Sequence, residues 1–200
     1  QNKRVILVTG ASRGVGKGIA EGLARKGDII ICAARSQKKG STVQQFGFEI
    51  QSSLDETVEK IKVKGANGIA YPIDLNNQKE ILELSGYIKK EFGQLDLLVH
   101  SACQIHDDLV LPKPYWEKSV DLWSLMDVGL KSNYLLSHAL TPLMIESKGK
   151  LIVQISSHGA MCYMHGPIYG AQKAGIDKMA FDMAYDLKPH EICSLSLWSG

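Results

Sequence analysis

The sequence predicts an α/β fold, a doubly wound parallel sheet with helices on both faces. Two observations predict it: short apolar runs alternate with amphipathic stretches along all 200 residues, and the runs are almost continuously apolar. Continuous apolar character is typical of strands that are buried on both faces. The predicted strands are Val5–Thr9, Ile29–Ala34, Gly68–Ile73, Leu95–His100, Leu151–Ser156 and Ile192–Trp198.

Between these strands, four stretches carry a single apolar stripe at helical spacing. The predicted helices are Val15–Lys26, Leu54–Lys64, Gln78–Phe92 and Ile168–Leu187. A longer helical region covers Trp116–Ser147, and we expect it to break near Gly129 or Pro142. Three aromatic residues of this region are expected in the core rather than at a ligand: Trp116, Trp123 and Tyr134.

Two polar segments interrupt the alternation. Ser36–Ser53 carries Gly40 and Gly47 and is predicted as an exposed, partly disordered excursion. Asp107–Pro114 is predicted as a loop after the fourth strand. We interpret residues 1–200 as one domain, because this length is enough to bury a core without disulfides.

Composition and charge exclude several classes of protein. Hydrophobic residues make up 44% and charged residues 22%, as in soluble globular proteins. A net charge of +2 does not indicate a nucleic acid or an acidic membrane as partner. The sequence has no apolar run of the roughly 18 residues that a membrane span needs. Four separated cysteines form no C-x-x-C pair and fit a reducing compartment, so we expect an intracellular, cytoplasmic location, with an organelle or the endoplasmic reticulum left open.

A glycine-rich turn, Thr9–Gly16, follows the first predicted strand and opens the first predicted helix. Gly10 permits the tight turn, Gly14 lets the backbone approach a pyrophosphate, and Gly16 allows close contact of helix and strand. The helix N-terminus adds unpaired N–H donors and a positive dipole. The spacing is G-x-x-x-G-x-G, which is weak evidence alone, but its place between strand and helix predicts a dinucleotide site.

The end of the second strand favours NADP(H) over NAD(H). An NAD site usually has an acidic residue there for the ribose 2′-hydroxyl. This chain has Ala34 and Arg35, with Lys38 and Lys39 close behind, and Arg13 points to the same region. A guanidinium can bind a 2′-phosphate through two hydrogen bonds. The alternative interpretation is an ordinary solvated turn.

Tyr169 and Lys173 lie one helical turn apart and therefore share a helix face. A free tyrosine has a pKa of about 10, and a cation close to a phenol favours the phenolate. Such a pair can act as a general acid and base. The spacing alone is weak, because it also occurs on solvated helix faces. Ser157, at the end of the fifth predicted strand, and the glycine turn make the catalytic interpretation the stronger one.

With Thr9–Gly16, Asp74, Ser157, Tyr169 and Lys173 in this order, the chain resembles the short-chain dehydrogenase/reductase family along essentially all its length. The resemblance implies a Rossmann-type fold and hydride transfer between a nicotinamide and a carbonyl or alcohol carbon. Ser157, rather than Ser156, is then expected to hold the carbonyl oxygen. Tyr169 is expected to transfer the proton, and Lys173 is expected to assist this transfer and to bind the nicotinamide ribose. Three segments are most like the subgroup of dehydrogenase/reductase member 1: Pro114–Glu117, Val128–Lys131 and Leu197–Gly200.

The resemblance also implies a set of cofactor-binding residues at the carboxyl ends of the strands, and no metal. They are Gly10, Ser12, Arg13, Gly14, Val15, Gly16, Arg35, Asp74, Leu75, Ser101, Ala102, Tyr169 and Lys173. A lipophilic carbonyl or alcohol substrate is expected against the segment between serine and tyrosine, although a packed surface loop is the alternative. The residues concerned are His158, Met161, Cys162, Tyr163, Met164 and His165. A homodimer through the long helices is the family's usual assembly.

The sequence departs from the family at three places. The usual Asn-Asn-Ala-Gly after the fourth strand reads His100–Cys103, so a side chain at Cys103 is expected to crowd the cofactor or shift the loop. We expect His100 to bond to backbone rather than to act as a pH-sensitive group. Gly129 replaces a catalytic asparagine, and we expect its backbone carbonyl to keep the water relay. The family's Pro-Gly after the sixth strand reads Ser199-Gly200, and the family's last strand and lid are expected after it.

The leading hypothesis is therefore an NADPH-dependent carbonyl reductase. The alternative is a catalytically weakened member of the family that acts as an NADP-binding or interaction protein. A serine hydrolase is disfavoured because no G-x-S-x-G motif occurs.

Overall fold

The computed structural model describes residues 3–199. Its strands are β1 (Val5–Thr9), β2 (Ile29–Ala34), β3 (Thr42–Gln45), β4 (Phe48–Gln51), β5 (Asn67–Pro72), β6 (Leu97–His100), β7 (Leu151–Ser156) and β8 (Cys193–Trp198). Its α-helices are α1 (Gly14–Leu23), α2 (Leu54–Val63), α3 (Gln78–Phe92), α4 (Ser124–Met126), α5 (Ser132–Ile145) and α6 (Pro167–Leu187).

Six strands form one sheet in the order β5-β2-β1-β6-β7-β8, and each neighbouring pair is parallel. The predicted doubly wound α/β fold is confirmed. The chain works outward from β1 to β5 and then returns to pair β6 with β1 on its other side. This reversal places a topological switch point at the carboxyl ends of β1 and β6.

Side chains of β1 alternate between two cores, one on each face of the sheet. Val5 and Leu7 pack with residues of α3 and α5, whereas Ile6 and Val8 pack with residues of α1 and α2. All five residues of β1 are buried. No helix in residues 3–199 has the length and apolarity that crossing a membrane requires.

The segment Ser36–Ser53 differs from its prediction. It is not a disordered excursion, because β3 and β4 pair antiparallel as a hairpin. The turn residues Phe46 and Gly47 have φ values of 53° and 76°, the left-handed conformation that a two-residue hairpin turn requires. At the tip, the backbone N–H of Phe46 donates to Oδ1 of Asp107 at 2.9 Å. Asp107 begins a short 3₁₀ turn, Asp107–Val110, in the segment predicted as a loop.

The long helical region also differs from its prediction. Short 3₁₀ turns and α4 precede a π-helical turn, Asp127–Lys131, which leads into α5. The expected break near Gly129 is confirmed: the backbone leaves helical geometry at Val128 and Gly129, where φ is −105° and 132°, whereas Pro142 lies inside α5. The expectation of buried aromatics is wrong: the exposed fractions are 71%, 61% and 52% for Trp116, Trp123 and Tyr134.

Candidate active site

A crevice of about 370 Å³ opens at the switch point between β1 and β6. The structure brings into its lining all the expected cofactor residues apart from the pair on α6. They are Gly10, Ser12, Arg13, Gly14, Val15, Gly16, Arg35, Asp74, Leu75, Ser101 and Ala102. Sequence reasoning missed further lining residues, among them Gln45 and Ile50 of the hairpin and Val128 at the helix break.

The glycine turn is packed so tightly that side chains are excluded at two positions. A Cβ at Gly10, whose φ is 68°, would lie 2.8 Å from Cα of Ala102, and a Cβ at Gly16 would overlap the carbonyl oxygen of Gly10. Gly14 has no such neighbour within 4 Å, so the backbone there is open. Helix α1 starts after Arg13 without a side-chain cap, which leaves its first N–H groups available to a phosphate. The cradle therefore fits a dinucleotide.

Thr9, the first residue of the glycine turn, is a positioning residue, a role that the sequence did not reveal. Its buried hydroxyl accepts hydrogen bonds from the N–H groups of Ser101 and Ala102, at 3.1 and 3.2 Å. It donates to the carbonyl oxygen of Val99 at 3.4 Å. The turn after β6 is thereby held against Gly10. A polar residue at the end of an apolar strand was the only signal in the sequence.

Two guanidinium groups line one end of the crevice. The pKa of Arg13 is lowered by burial and, to a smaller extent, by the positive charge of Arg35. Neither arginine forms a salt bridge within residues 3–199. Lys39 instead pairs with Glu59 at 3.1 Å. Two unneutralised guanidinium groups are a donor set that fits a phosphate.

Asp74 and Leu75 follow β5, the strand that pairs with β2, and they line the crevice as well. The N–H of Asp74 donates to Oε2 of Glu80 at 2.8 Å, and its Oδ1 accepts from the N–H of Asn76 at 3.0 Å. These two bonds fix the Asp74 backbone and carboxylate at the rim. Leu75 is buried beneath them.

Ser157 and Tyr169 meet directly. The distance from Ser157 Oγ to Tyr169 Oη is 3.0 Å, and the N–H of Gly159 donates to the same Oγ at 3.2 Å. A Cβ at Gly159 would lie 2.6 Å from Cε1 of Tyr169, so this glycine makes room for the ring. Ser156 points elsewhere: its buried hydroxyl donates to the carbonyl oxygen of Lys173 at 3.3 Å. Only one of the two adjacent serines therefore contacts the tyrosine.

Lys173 lies beside this pair. Its Nζ is 5.4 Å from the centroid of the Tyr169 ring and donates to the carbonyl oxygen of Ile155 at 3.4 Å. The residue is only 6% exposed, and within the described part of the chain it has no carboxylate in salt-bridge distance. Burying an ammonium group without a counter-charge is costly, and such groups cluster at functional sites.

Gln172 connects α6 to the helix break. Its buried amide Nε2 donates to the carbonyl oxygens of Leu125 and, at 3.4 Å, of Val128. Its Oε1 accepts from the thiol of Cys103 at 3.6 Å. Cys103 also lines the crevice, so Gln172 links the cofactor loop with the helix that carries Tyr169. Sequence reasoning missed this residue.

His100 is a structural residue. Its Nε2 lies 2.8 Å from Oγ of Ser137, so the expected bond to backbone is replaced by one to a side chain. Burial lowers the pKa of His100 to about 3. The imidazole is therefore neutral at neutral pH.

The structure brings only part of the segment between Ser157 and Tyr169 to the site. His158 packs against Trp198 with the rings tilted and their centroids 5.2 Å apart, and His165 meets Tyr169 edge-on at 5.1 Å. Met161 and Tyr163 are exposed, so they do not form an enclosed pocket. Gly200, which the resemblance equates with the glycine of a Pro-Gly pair, lies outside the described residues. In the described chain no three His, Cys, Asp or Glu residues are grouped to hold a metal ion.

Comparisons with known proteins agree with this geometry. A family model described as Enoyl-(Acyl carrier protein) reductase matches residues 10–194. Dehydrogenase/reductase SDR family member 1 of Homo sapiens is 33% identical over 203 residues, which cover 100% of this chain and 60% of that protein. The 3-oxoacyl-(acyl-carrier-protein) reductase FabG of Buchnera aphidicola subsp. Baizongia pistaciae is 30% identical over 193 residues, which cover 95% of this chain and 70% of that protein.

A solved structure agrees as well. A metagenomic short-chain oxidoreductase in complex with NADP has a TM-score of 0.81 and 28% identity, over 98% of this chain and 82% of that one. The chain spans about 60% of the length of the human relative. The family model covers most of the sequence, and the described residues have the family's fold. The chain therefore belongs to the short-chain dehydrogenase/reductase family of oxidoreductases.

Proposed function

We propose that this protein is an NADPH-dependent oxidoreductase that reduces a lipophilic ketone or aldehyde to an alcohol. The observation that carries the proposal is the 3.0 Å contact between Ser157 Oγ and Tyr169 Oη beside the buried Lys173. A developing alkoxide is stabilised when a proton donor, a second hydroxyl and a fixed cation surround it.

In the proposed reaction, the Ser157 hydroxyl donates a hydrogen bond to the substrate carbonyl oxygen. A reduced nicotinamide, when bound, supplies the hydride to the carbonyl carbon. Tyr169 gives its phenolic proton to the same oxygen as negative charge develops there. The charge of Lys173 stabilises the resulting phenolate, and it is not neutralised by a carboxylate of the described chain.

NADP(H) is favoured by the pair Arg13 and Arg35 at one end of the crevice. A ribose 2′-hydroxyl would leave both positive charges without a partner, whereas a 2′-phosphate would neutralise them. The NADP complex of the metagenomic oxidoreductase is consistent with this choice. In cells NADPH is kept mostly reduced, which makes reduction the proposed direction.

A lipophilic substrate is favoured by the apolar surroundings of the site. The Tyr169 ring packs on a buried cluster of Leu109, Leu122 and Leu125. A cavity of about 500 Å³ lies beside the first turn of α6, with Trp123 and Ile168 among its walls. Large apolar cavities with few polar groups are typical of sites for small lipophilic molecules.

We also propose a homodimer through α5 and α6. Phe181 and Tyr185 lie one turn apart on α6 and are exposed, as is Tyr134 on α5. Large exposed apolar side chains on both helices are what a partner subunit would cover. Molar mass in solution, measured by light scattering at several concentrations, tests this assembly, and a monomer at every concentration would contradict it.

The central experiment measures NADPH binding by fluorescence and then NADPH consumption with a panel of lipophilic ketones and aldehydes, using the full-length protein. Tyr169→Phe is expected to abolish turnover while NADPH still binds. The matched control is Tyr87→Phe, because Tyr87 on α3 lines neither the crevice nor the cavity beside α6. Tight NADPH binding without turnover of any carbonyl would instead support a catalytically weakened, NADP-binding protein. The departures at Cys103 and Gly129 are the reason to keep that alternative.

A further inference from the structure

We propose that the β3–β4 hairpin forms part of the cofactor site, and that Gln45 on it selects the phosphorylated dinucleotide by orienting Arg13 without neutralising its charge. The inference rests on the proposed use of NADPH. It goes further by assigning cofactor selection to a segment that the sequence predicts as an exposed excursion.

The two faces of the hairpin differ in their surroundings. Residues paired across the hairpin share a face. The outer face is exposed and polar, and it consists of Thr42, Gln44, Glu49 and Gln51. On the inner face, Val43, Gln45 and Ile50 are half-buried, Phe48 at the tip is exposed, and Gln45 and Ile50 line the crevice. The hairpin therefore presents one specific face to the cofactor site.

Hydrogen bonds hold the hairpin at both ends. At its base, the hydroxyl of Ser52 donates to Oγ of Ser12 at 3.0 Å, and the N–H of Ser53 donates to the carbonyl oxygen of Ser12 at 3.0 Å. Ser12 belongs to the glycine turn. At the tip, Phe46 is bonded to Asp107 in the segment after β6. The hairpin thus bridges the two sides of the crevice, from the glycine turn to the segment that follows β6.

The charge arrangement identifies the role of Gln45. Its Oε1 accepts a hydrogen bond from Nη2 of Arg13 at 3.2 Å. This bond fixes the guanidinium plane, and the remaining N–H donors of Arg13 stay available. Because an amide is neutral, Arg13 and Arg35 retain their full positive charge toward the crevice. A carboxylate at position 45 would bind Arg13 more strongly and would occupy the donors that a 2′-phosphate needs.

The test is therefore a single, nearly isosteric change, Gln45→Glu. The dissociation constants of NADPH and NADH are measured by fluorescence without substrate, so that the readout does not depend on turnover. We expect Gln45→Glu to weaken NADPH binding about tenfold or more and to change NADH binding less than about twofold. Gln45→Met removes the orienting acceptor but adds no charge, so its loss of NADPH affinity should be smaller.

The matched control is Gln51→Glu, which makes the same chemical change on the outer face of the same hairpin, opposite the uncharged Thr42. It should leave both affinities unchanged, and equal melting temperatures of the variants would exclude unfolding as a cause. A wild-type protein without preference for NADPH would overturn the proposed cofactor. A wild-type preference that Gln45→Glu leaves intact, or that Gln51→Glu removes equally, would overturn only the role of Gln45.

The hydrogen bond between the hairpin tip and Asp107 can be tested separately. Asp107→Ala removes the acceptor at the hairpin tip, and stopped-flow measurement of NADPH release should then give a dissociation rate several times higher. The matched control is Asp121→Ala, which removes an acidic side chain that accepts no hydrogen bond from the hairpin in the described structure. An unchanged release rate in Asp107→Ala would show that the hairpin does not retain the cofactor.

Discussion

The side chain of Gln172 occupies the space next to Gly129 that a larger residue would need. A Cβ built at Gly129 would overlap Nε2 of Gln172, which is bonded to the carbonyl oxygens of Leu125 and Val128. The amide of Gln172 therefore stabilises the helix break from the side of α6. An asparagine at 129, which many members of the family have, is incompatible with this arrangement.

We therefore expect Gly129→Asn to destabilise the protein and to lose most of its turnover. The backbone φ of 132° alone makes a side chain unfavourable, by about 1–3 kcal/mol. Thermal unfolding and NADPH consumption measure the two effects. Combining Gly129→Asn with Gln172→Ser should recover part of both losses, because the shorter side chain removes the overlap.

The control for this change is Gly86→Asn, since Gly86 has open space around its Cβ position and an ordinary φ. It should have little effect on unfolding or turnover. If Gly129→Asn instead raised turnover by orders of magnitude, the missing asparagine would be what limits this protein, and our interpretation of Gly129 would be wrong.

The centre of the fold was predictable because β1, β2 and β6 are buried along their whole length, and continuous apolar character marks such strands. The expectation of burial on both faces is wrong for β5, β7 and β8, which are buried only in part. The bounds of β1, β2 and β7 nevertheless match their apolar runs. The β3–β4 hairpin was not predictable, because its outer face is polar and the alternation of exposed and half-buried residues covers only four residues in each strand. Phe46 further concealed it, because a phenylalanine is rare at a turn position with positive φ.

The sequence predicts those residues of the site that belong to a motif of a few neighbouring residues. The turn Thr9–Gly16 and the pair Tyr169 and Lys173 are each defined by short spacing. Thr9 with Ala102, Gln45 with Arg13, and Gln172 with Leu125 are contacts between residues far apart in the sequence. Polar groups of this kind give no periodic signal, because their roles depend on which strands and helices the fold places side by side.

Ser157 and Ser156 should respond differently to the same substitution. Ser157→Ala removes the hydroxyl that lies 3.0 Å from Tyr169 Oη, so turnover should fall about 10²- to 10³-fold. Ser156→Ala removes one hydrogen bond to the backbone of Lys173, so it should cost about 1 kcal/mol of stability and leave most of the turnover. Steady-state kinetics and urea unfolding of both variants separate the roles. The reverse pattern would transfer the catalytic assignment to Ser156.

Arg35→Asp should change cofactor preference. The substitution removes one of the two guanidinium groups in the crevice and adds a carboxylate that repels a phosphate. We expect NADPH affinity to fall about tenfold or more, with a much smaller change for NADH. Fluorescence titration with each cofactor measures both. Arg25→Asp makes the same charge change at an exposed position outside the crevice, and it should preserve the preference. Equal losses for both cofactors in Arg35→Asp would contradict binding of a 2′-phosphate.

His100 should make stability depend on pH. Its pKa is lowered from 6.5 to about 3 in the folded protein, because the buried imidazole cannot hold a proton without losing hydration. The unfolded chain therefore binds a proton below pH 6.5 that the folded protein does not bind until about pH 3. The stability that this residue contributes is complete above pH 6.5, and it is lost as the pH falls from 6.5 to about 3.

Between pH 7 and pH 5, this single site should lower the free energy of unfolding by about 2 kcal/mol. Urea unfolding at the two values measures the loss, and His100→Gln should remove that part of it, because glutamine does not titrate. Carboxylates add their own pH dependence, but they add it equally in wild type and variant. The exposed His138 provides the control, since His138→Gln should leave the loss between pH 7 and pH 5 unchanged. If His100→Gln kept the full loss, another group would be responsible, and the buried imidazole would not be what makes the fold sensitive to acid.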